Sequence, residues 1–120
     1  MTEYNLCVID VKTLDDAERE IKKIGSDPAS VSIMAPKAVS RVIRLENVVL
    51  QDAIIIKQDM LSLGGEVAVP RDTFKLHDKT GDILIIGNLS QLNTLVKKLQ
   101  RHYPRLKKIA NVLEDFFKDC

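Results

Sequence analysis

The sequence predicts an α/β fold, a small mixed sheet of four to five strands with about four helices packed on it as a two- or three-layer sandwich. Strand-like runs alternate with amphipathic stretches at helical spacing. The turn Asp78-Lys-Thr-Gly81 lies between two short apolar runs, which is a hairpin signal. The length of 120 residues, 45% apolar and 29% charged, fits one hydrophobic core and is too short for two.

Taken in order, Tyr4 to Val11 is rich in β-branched and apolar residues and reads as a first strand. Thr13 then offers an N-cap, with Asp15 and Asp16 where the helix dipole favours acids. Leu14, Ala17, Ile21 and Ile24 form the inward stripe of this helix, and Gly25 stops it. Residues 26–39 carry two prolines and support only a loop with one short strand or helical turn. Arg41 to Glu46 alternates as a half-exposed strand, with Asn47 placed to cap the next helix. That helix, from Val48 to Leu63, puts Leu50, Ala53, Ile54 and Leu61 on one stripe, widened by Val49, Ile56, Met60 and Leu63, and Gly64-Gly65 ends it.

Glu66 to Val69 is a short strand stopped by Pro70, and Thr73 to His77 reads as another, paired through the hairpin turn with Asp82 to Ile86. The run Ile83-Leu-Ile-Ile86 belongs in the centre of the sheet. A helix from Leu89 to Arg101 follows, with Leu92, Leu95, Val96 and Leu99 inward. The last helix, from Arg105 to Phe117, carries Leu106, Ile109, Ala110, Leu113 and Phe116 on one stripe. Pairing is expected to be parallel where a helix intervenes and antiparallel at the hairpin. Phe116-Phe117 suits either core closure or a homodimer interface.

Composition narrows the function classes. A net charge of +1 gives no global field toward nucleic acid or anionic lipid, and a chain without Trp offers few stacking platforms. Cys7 and Cys120 have no second Cys or His at ligand spacing, so both read as free thiols and no metal or cofactor is implied. The N-terminal residues lack the pattern of a signal peptide, and no apolar run approaches the roughly 20 residues of a membrane span, so the expected location is cytoplasmic.

No catalytic constellation emerges. His77 and His102 belong to no linear motif, and the pairs Asp15-Asp16 and Glu114-Asp115 serve helix ends or polar faces. Gly64-Gly65 follows a helix, whereas a phosphate cradle needs glycines before one. Gly87-Asn88 does join a strand to a helix N-terminus, but one glycine matches no nucleotide fingerprint. Lys57 lies on the inward side of its helix, where a stem snorkelling to the core rim competes with a ligand-facing ammonium. Lys97, Lys98, Arg101, Arg105 and Lys108 crowd the last helix junction together with Lys107. A solvated face explains them, and an RNA or polyanion patch is the alternative.

The stretches IMAPKAVSRVIRLENV and IIIKQDMLSLGGEVAVPRDTF, and further on GDILIIGNLSQLNTLVKKL, resemble the part of larger, two-domain dihydropteroate synthases that precedes the catalytic barrel. KQDMLSLGG is the most specific piece. Neither an Asn-x-Thr-Pro-Asp-Ser-Phe-like nor a Gly-Gly-Glu-Ser-Thr-Arg-like signature is present, and a barrel needs roughly 250 residues. The resemblance therefore implies a non-catalytic accessory module of pterin or folate biosynthesis. Its implied partners are a dihydropteroate synthase barrel and an anionic pterin, with Lys37, Lys57 and Arg71 as cationic ligand donors. The competing reading is an RNA-binding or protein-interaction domain built on residues 97–108.

Overall fold

The computed structural model describes residues 3–118; Cys120 lies outside them. Its elements are α1 (Leu14–Ile24), α2 (Pro28–Met34) with a 3-10 turn at Ala35–Ala38, β1 (Ser40–Val49) and α3 (Leu50–Ser62). They continue as β2 (Glu66–Ala68), β3 (Thr80–Asn88), α4 (Leu89–Leu99) and α5 (Pro104–Phe117). The class is α/β as expected, with five helices and, among the described residues, three strands in the order β1-β3-β2.

The sheet differs from expectation in both size and direction. β3 pairs antiparallel with β1 on one side and with β2 on the other. β1, α3 and β2 form a split crossover, in which the two parallel strands never touch because β3 lies between them. The expected hairpin through Asp78–Gly81 is absent. Residues 71–78 are turns instead, because their backbone serves α3: the carbonyls of Lys79 and His77 accept from Leu50 N at 2.8 Å and Gln51 N at 3.0 Å. These are first-turn donors that no helix can satisfy internally. The expected first strand is also absent, since Tyr4 to Asp10 is exposed and pairs with nothing in the sheet.

Local chemistry explains the helix boundaries. Thr13 and Asp16 form a reciprocal capping box on α1, and Gly25 closes it with a left-handed φ of 82°. Asn88 and Gln91 form a second box on α4. Pro28 at the start of α2 turns the uncertain 26–39 stretch into a helix capped by Asp27. Pro104 opens α5 for the same reason.

Helices cover one face of the sheet. Val67, Ile83 and Ile85 point into it and are buried against α3 and α4, with α5 packed on α4. Ile56, Leu92, Leu95 and Leu99 complete the core, each worth about 1.5–3 kcal/mol of burial. The stripe of α3 runs through Leu50, Ala53, Ile56 and Met60, so Leu61, expected inward, is half exposed. Ile24, at the last position of α1, is also exposed rather than buried. On the opposite face Val42, Arg44, Leu84 and Ile86 stand in solvent. No described helix is long and apolar enough to cross a membrane.

Candidate functional site

The site is a groove between β1 and α5. After Leu45 the β1·β3 register slips and resumes at Val48, and Asn47 takes a φ of 57° in the extra position. Asparagine enters this left-handed region more cheaply than most residues, and its amide N–H donates to Asp82 Oδ1 at 3.2 Å. Asn47 therefore builds a bulge and not the helix cap expected of it; the N-cap position of α3 falls on Val49. The bulge bends β1 so that Leu45 to Val49 faces Arg105, Lys108, Ile109 and Val112 of α5 across a cavity of about 410 Å³. That volume falls within the range of small-molecule sites.

One wall rests on Asp52. This carboxylate, 2% exposed, sits in the first turn of α3 and receives Arg105 Nε at 2.8 Å and Nη2 at 2.9 Å. The Tyr103 hydroxyl also donates to Asp52 Oδ1, and the guanidinium of Arg105 lies 5.0 Å from the Tyr103 ring centroid. The fork of two charge-assisted bonds pushes Arg105 above the ordinary guanidinium range. Burial first, then the neighbouring Asp52, pushes the Tyr103 phenol up. Lys108, one turn along α5, lines the same cavity and has no ion pair or hydrogen bond among the described residues. The groove thus combines an apolar floor, a braced guanidinium, an unspent ammonium and the Glu46 carboxylate, which pairs with Arg44 at 3.5 Å.

The other sequence candidates are dispersed. Lys57 Nζ donates to Glu66 Oε1 at 2.9 Å and to the Val67 carbonyl at 2.7 Å, tying α3 to β2. Lys37 lines a separate depression of about 290 Å³ with Gly65, Gly87 and Gln91. Arg71 is exposed in the turns after β2, and the cavities holding Lys37 and Lys108 do not include it. The basic run is divided too. Lys98 Nζ reaches Ser62 Oγ at 3.2 Å, His102 meets Asp59 at 3.1 Å, Lys97 lines a cleft beside Glu114, and Arg101 is exposed. Arg105 and Lys108 share the β1/α5 cavity.

KQDMLSLGG also acquires a physical role. Lys57, Asp59 and Ser62 bond to β2, α5's approach and α4, while Met60 fills the space above Gly65 and Gly87. A Cβ on Gly65 would lie 2.9 Å from the Ile86 carbonyl oxygen and overlap the end of Met60. Asp52 and Asn47 were not singled out as site residues from sequence. An acid on the inward face of an otherwise apolar helix is the signal that marks Asp52; Asn47 carries none beyond its residue type. Among the described residues no group of three or more His, Cys, Asp or Glu could hold a metal ion.

Comparison with known proteins gives one relationship of use. The bifunctional dihydropteroate synthase/dihydropteroate reductase of Helicobacter pylori is 30% identical over 104 residues, which cover 87% of this chain. The same residues cover 27% of the relative, so the chain spans about a quarter of that protein's length. No family model and no solved structure matches. The chain is thereby related to a dihydropteroate synthase-type protein.

Proposed function

We propose that the chain is a non-catalytic accessory module of dihydropteroate synthase-related pterin metabolism, and that its β1/α5 groove binds an aromatic carboxylate of the dihydropteroate class. The observation that carries this reading is the asymmetry of the match, 87% of this chain against 27% of the relative. A matched length of 104 residues is too short for a barrel of roughly 250, and the unmatched remainder of the relative is long enough for one. The groove supports the ligand class. Leu45, Val48, Ile109 and Val112 offer an apolar bed, and Lys108 offers an ammonium without a hydrogen bond or ion pair among the described residues, in a cavity that Glu46 also lines. Arg105 is held by Asp52 and positions the wall rather than leaving to meet a ligand.

The test is a thermal-shift titration with dihydropteroate, p-aminobenzoate, pyrophosphate and a short RNA. A ligand at 100 times its Kd stabilises by about 2.7 kcal/mol. Dihydropteroate is expected to raise the melting temperature of the parent protein and to lose that effect in Lys108→Ala. A shift that survives Lys108→Ala but vanishes in Lys37→Ala would move the site to the Gly65–Gly87 depression. A shift with RNA alone would replace the pterin reading with nucleic-acid binding.

A further inference from the structure

Residues 4–10, ahead of α1, form an exposed arm. Leu6, Val8 and Ile9 are 77%, 93% and 51% exposed, an unusual display for a stretch of high strand propensity. The arm's exit is fixed at its base. Asp16 Oδ2 accepts from Lys12 N at 3.1 Å and Thr13 N at 3.2 Å, and Arg41 Nη2 donates to the Lys12 carbonyl at 2.9 Å. These bonds hold the base beside the start of β1 while the arm projects away. The radius of gyration of 17.0 Å exceeds the roughly 14 Å of a compact chain this long, and the long axis reaches 53 Å.

β1 meanwhile has a free edge. It borders the sheet, pairs with β3 alone, and its regular register runs six residues from Ser40 to Leu45 before the bulge. Leu6 to Val11 is also six residues. The parity agrees as well, because Val11 is half-buried against the core, which assigns Cys7 and Ile9 to the helix-covered side. Leu6 and Val8 would then extend the open face carrying Val42, Leu84 and Ile86.

We propose that the arm of one copy adds to the β1 edge of a second copy, giving a two-fold dimer held by reciprocal strand exchange. A second copy is the fitting occupant because each chain carries both an exposed arm that joins no strand and, among the described residues, an unpaired β1 edge. The exchange covers the apolar arm and supplies each sheet with a fourth strand. It is independent of any ligand in the β1/α5 groove.

Sedimentation velocity over a concentration series tests the proposal. The intact chain is expected to sediment as a dimer, and a variant lacking residues 1–9 as a monomer of unchanged helix content by circular dichroism. A monomeric intact chain, or a dimer that survives removal of the arm, overturns it. Oxidation of Val8→Cys/Val42→Cys, the open-face pair set side by side when Leu6–Val11 runs parallel along Ser40–Leu45, in a Cys7→Ser/Cys120→Ser background is expected to yield a reducible covalent dimer. An intrachain link of monomer mass, or no link, would overturn exchange between copies.

Discussion

Arg105 at the start of α5 forks onto the carboxylate of Asp52, which lies 53 positions earlier in the first turn of α3. The two partners differ in environment: the Arg105 side chain is 54% exposed and that of Asp52 only 2%. Removing one partner therefore has unequal consequences. An orphaned guanidinium regains water, whereas an orphaned carboxylate remains buried with Tyr103 as its remaining side-chain partner among the described residues. Asp52→Asn is expected to cost about 1–2 kcal/mol in urea unfolding, Arg105→Met to cost more, and the double variant to cost less than the two together. Equal costs, or the reverse order, would show that burial of Asp52 does not govern the pair.

Met60 supports a second prediction. A methyl group on Gly65 meets the Ile86 carbonyl oxygen at 2.9 Å as well as Met60, while one on Gly87 meets Met60 and, at 2.9 Å, Gln91 Oε1. The obstacles at Gly87 are ends of side chains; at Gly65 one is backbone. Gly65→Ala and Gly87→Ala are each expected to destabilise by about 1–3 kcal/mol. Met60→Leu, which removes the terminal methyl group, is expected to recover part of the loss at Gly87 and little at Gly65. Equal rescue at both positions would contradict a backbone obstacle at Gly65.

Elements governed by local chemistry were legible in the sequence. Thr13 with Asp16, Gly25, and the helical spacing of Leu92, Leu95, Val96 and Leu99 are cases where residue type and spacing carry the answer. Strands depend on partners distant in sequence, and here reading by propensity overcounted. Residues 73–77 look like a strand, but the chain turns there so that the His77 and Lys79 carbonyls reach α3, and residues 4–11 have strand propensity yet pair with no strand of the sheet. The groove was half legible. Arg105 and Lys108 stood out by charge, but the Asp52 that fixes one and the Asn47 bulge that opens the cavity are tertiary facts. The helical spacing gives Lys57 an inward stem, but only the fold shows its ammonium bonded to β2.

Two carboxylates set the acid limb of stability. The Lys57 ammonium, then the Val67 N–H, hold Glu66 below the ordinary glutamate value, and the Lys12 backbone N–H chiefly does the same for Asp16. A carboxylate with a lowered folded pKa stabilises above its unfolded value, near 4, and that contribution is lost as pH falls through the folded value. Stability is therefore expected to decline below about pH 4.5. Glu66→Gln and Asp16→Asn are each expected to make the decline shallower, with a lower plateau at neutral pH. Glu66 is solvent-exposed, so high salt should weaken its contribution. Urea unfolding at a series of pH values measures this, and an unchanged slope in both variants would remove these carboxylates from the account.

Tyr103 gives the alkaline counterpart. Its phenol is raised above its ordinary value of 10.0 mainly by burial and secondarily by the Asp52 carboxylate. A raised folded pKa contributes stability that is present below the unfolded value and lost as pH climbs through the folded one. Stability should therefore fall above about pH 10, and Tyr103→Phe should abolish that component. The ranking of causes gives a finer test by phenolate absorbance. Asp52→Asn is expected to lower the Tyr103 midpoint only part of the way, because burial remains after the neighbouring charge is gone. A full return to the ordinary value would instead make Asp52 the dominant cause and Tyr103 a sensor of that carboxylate.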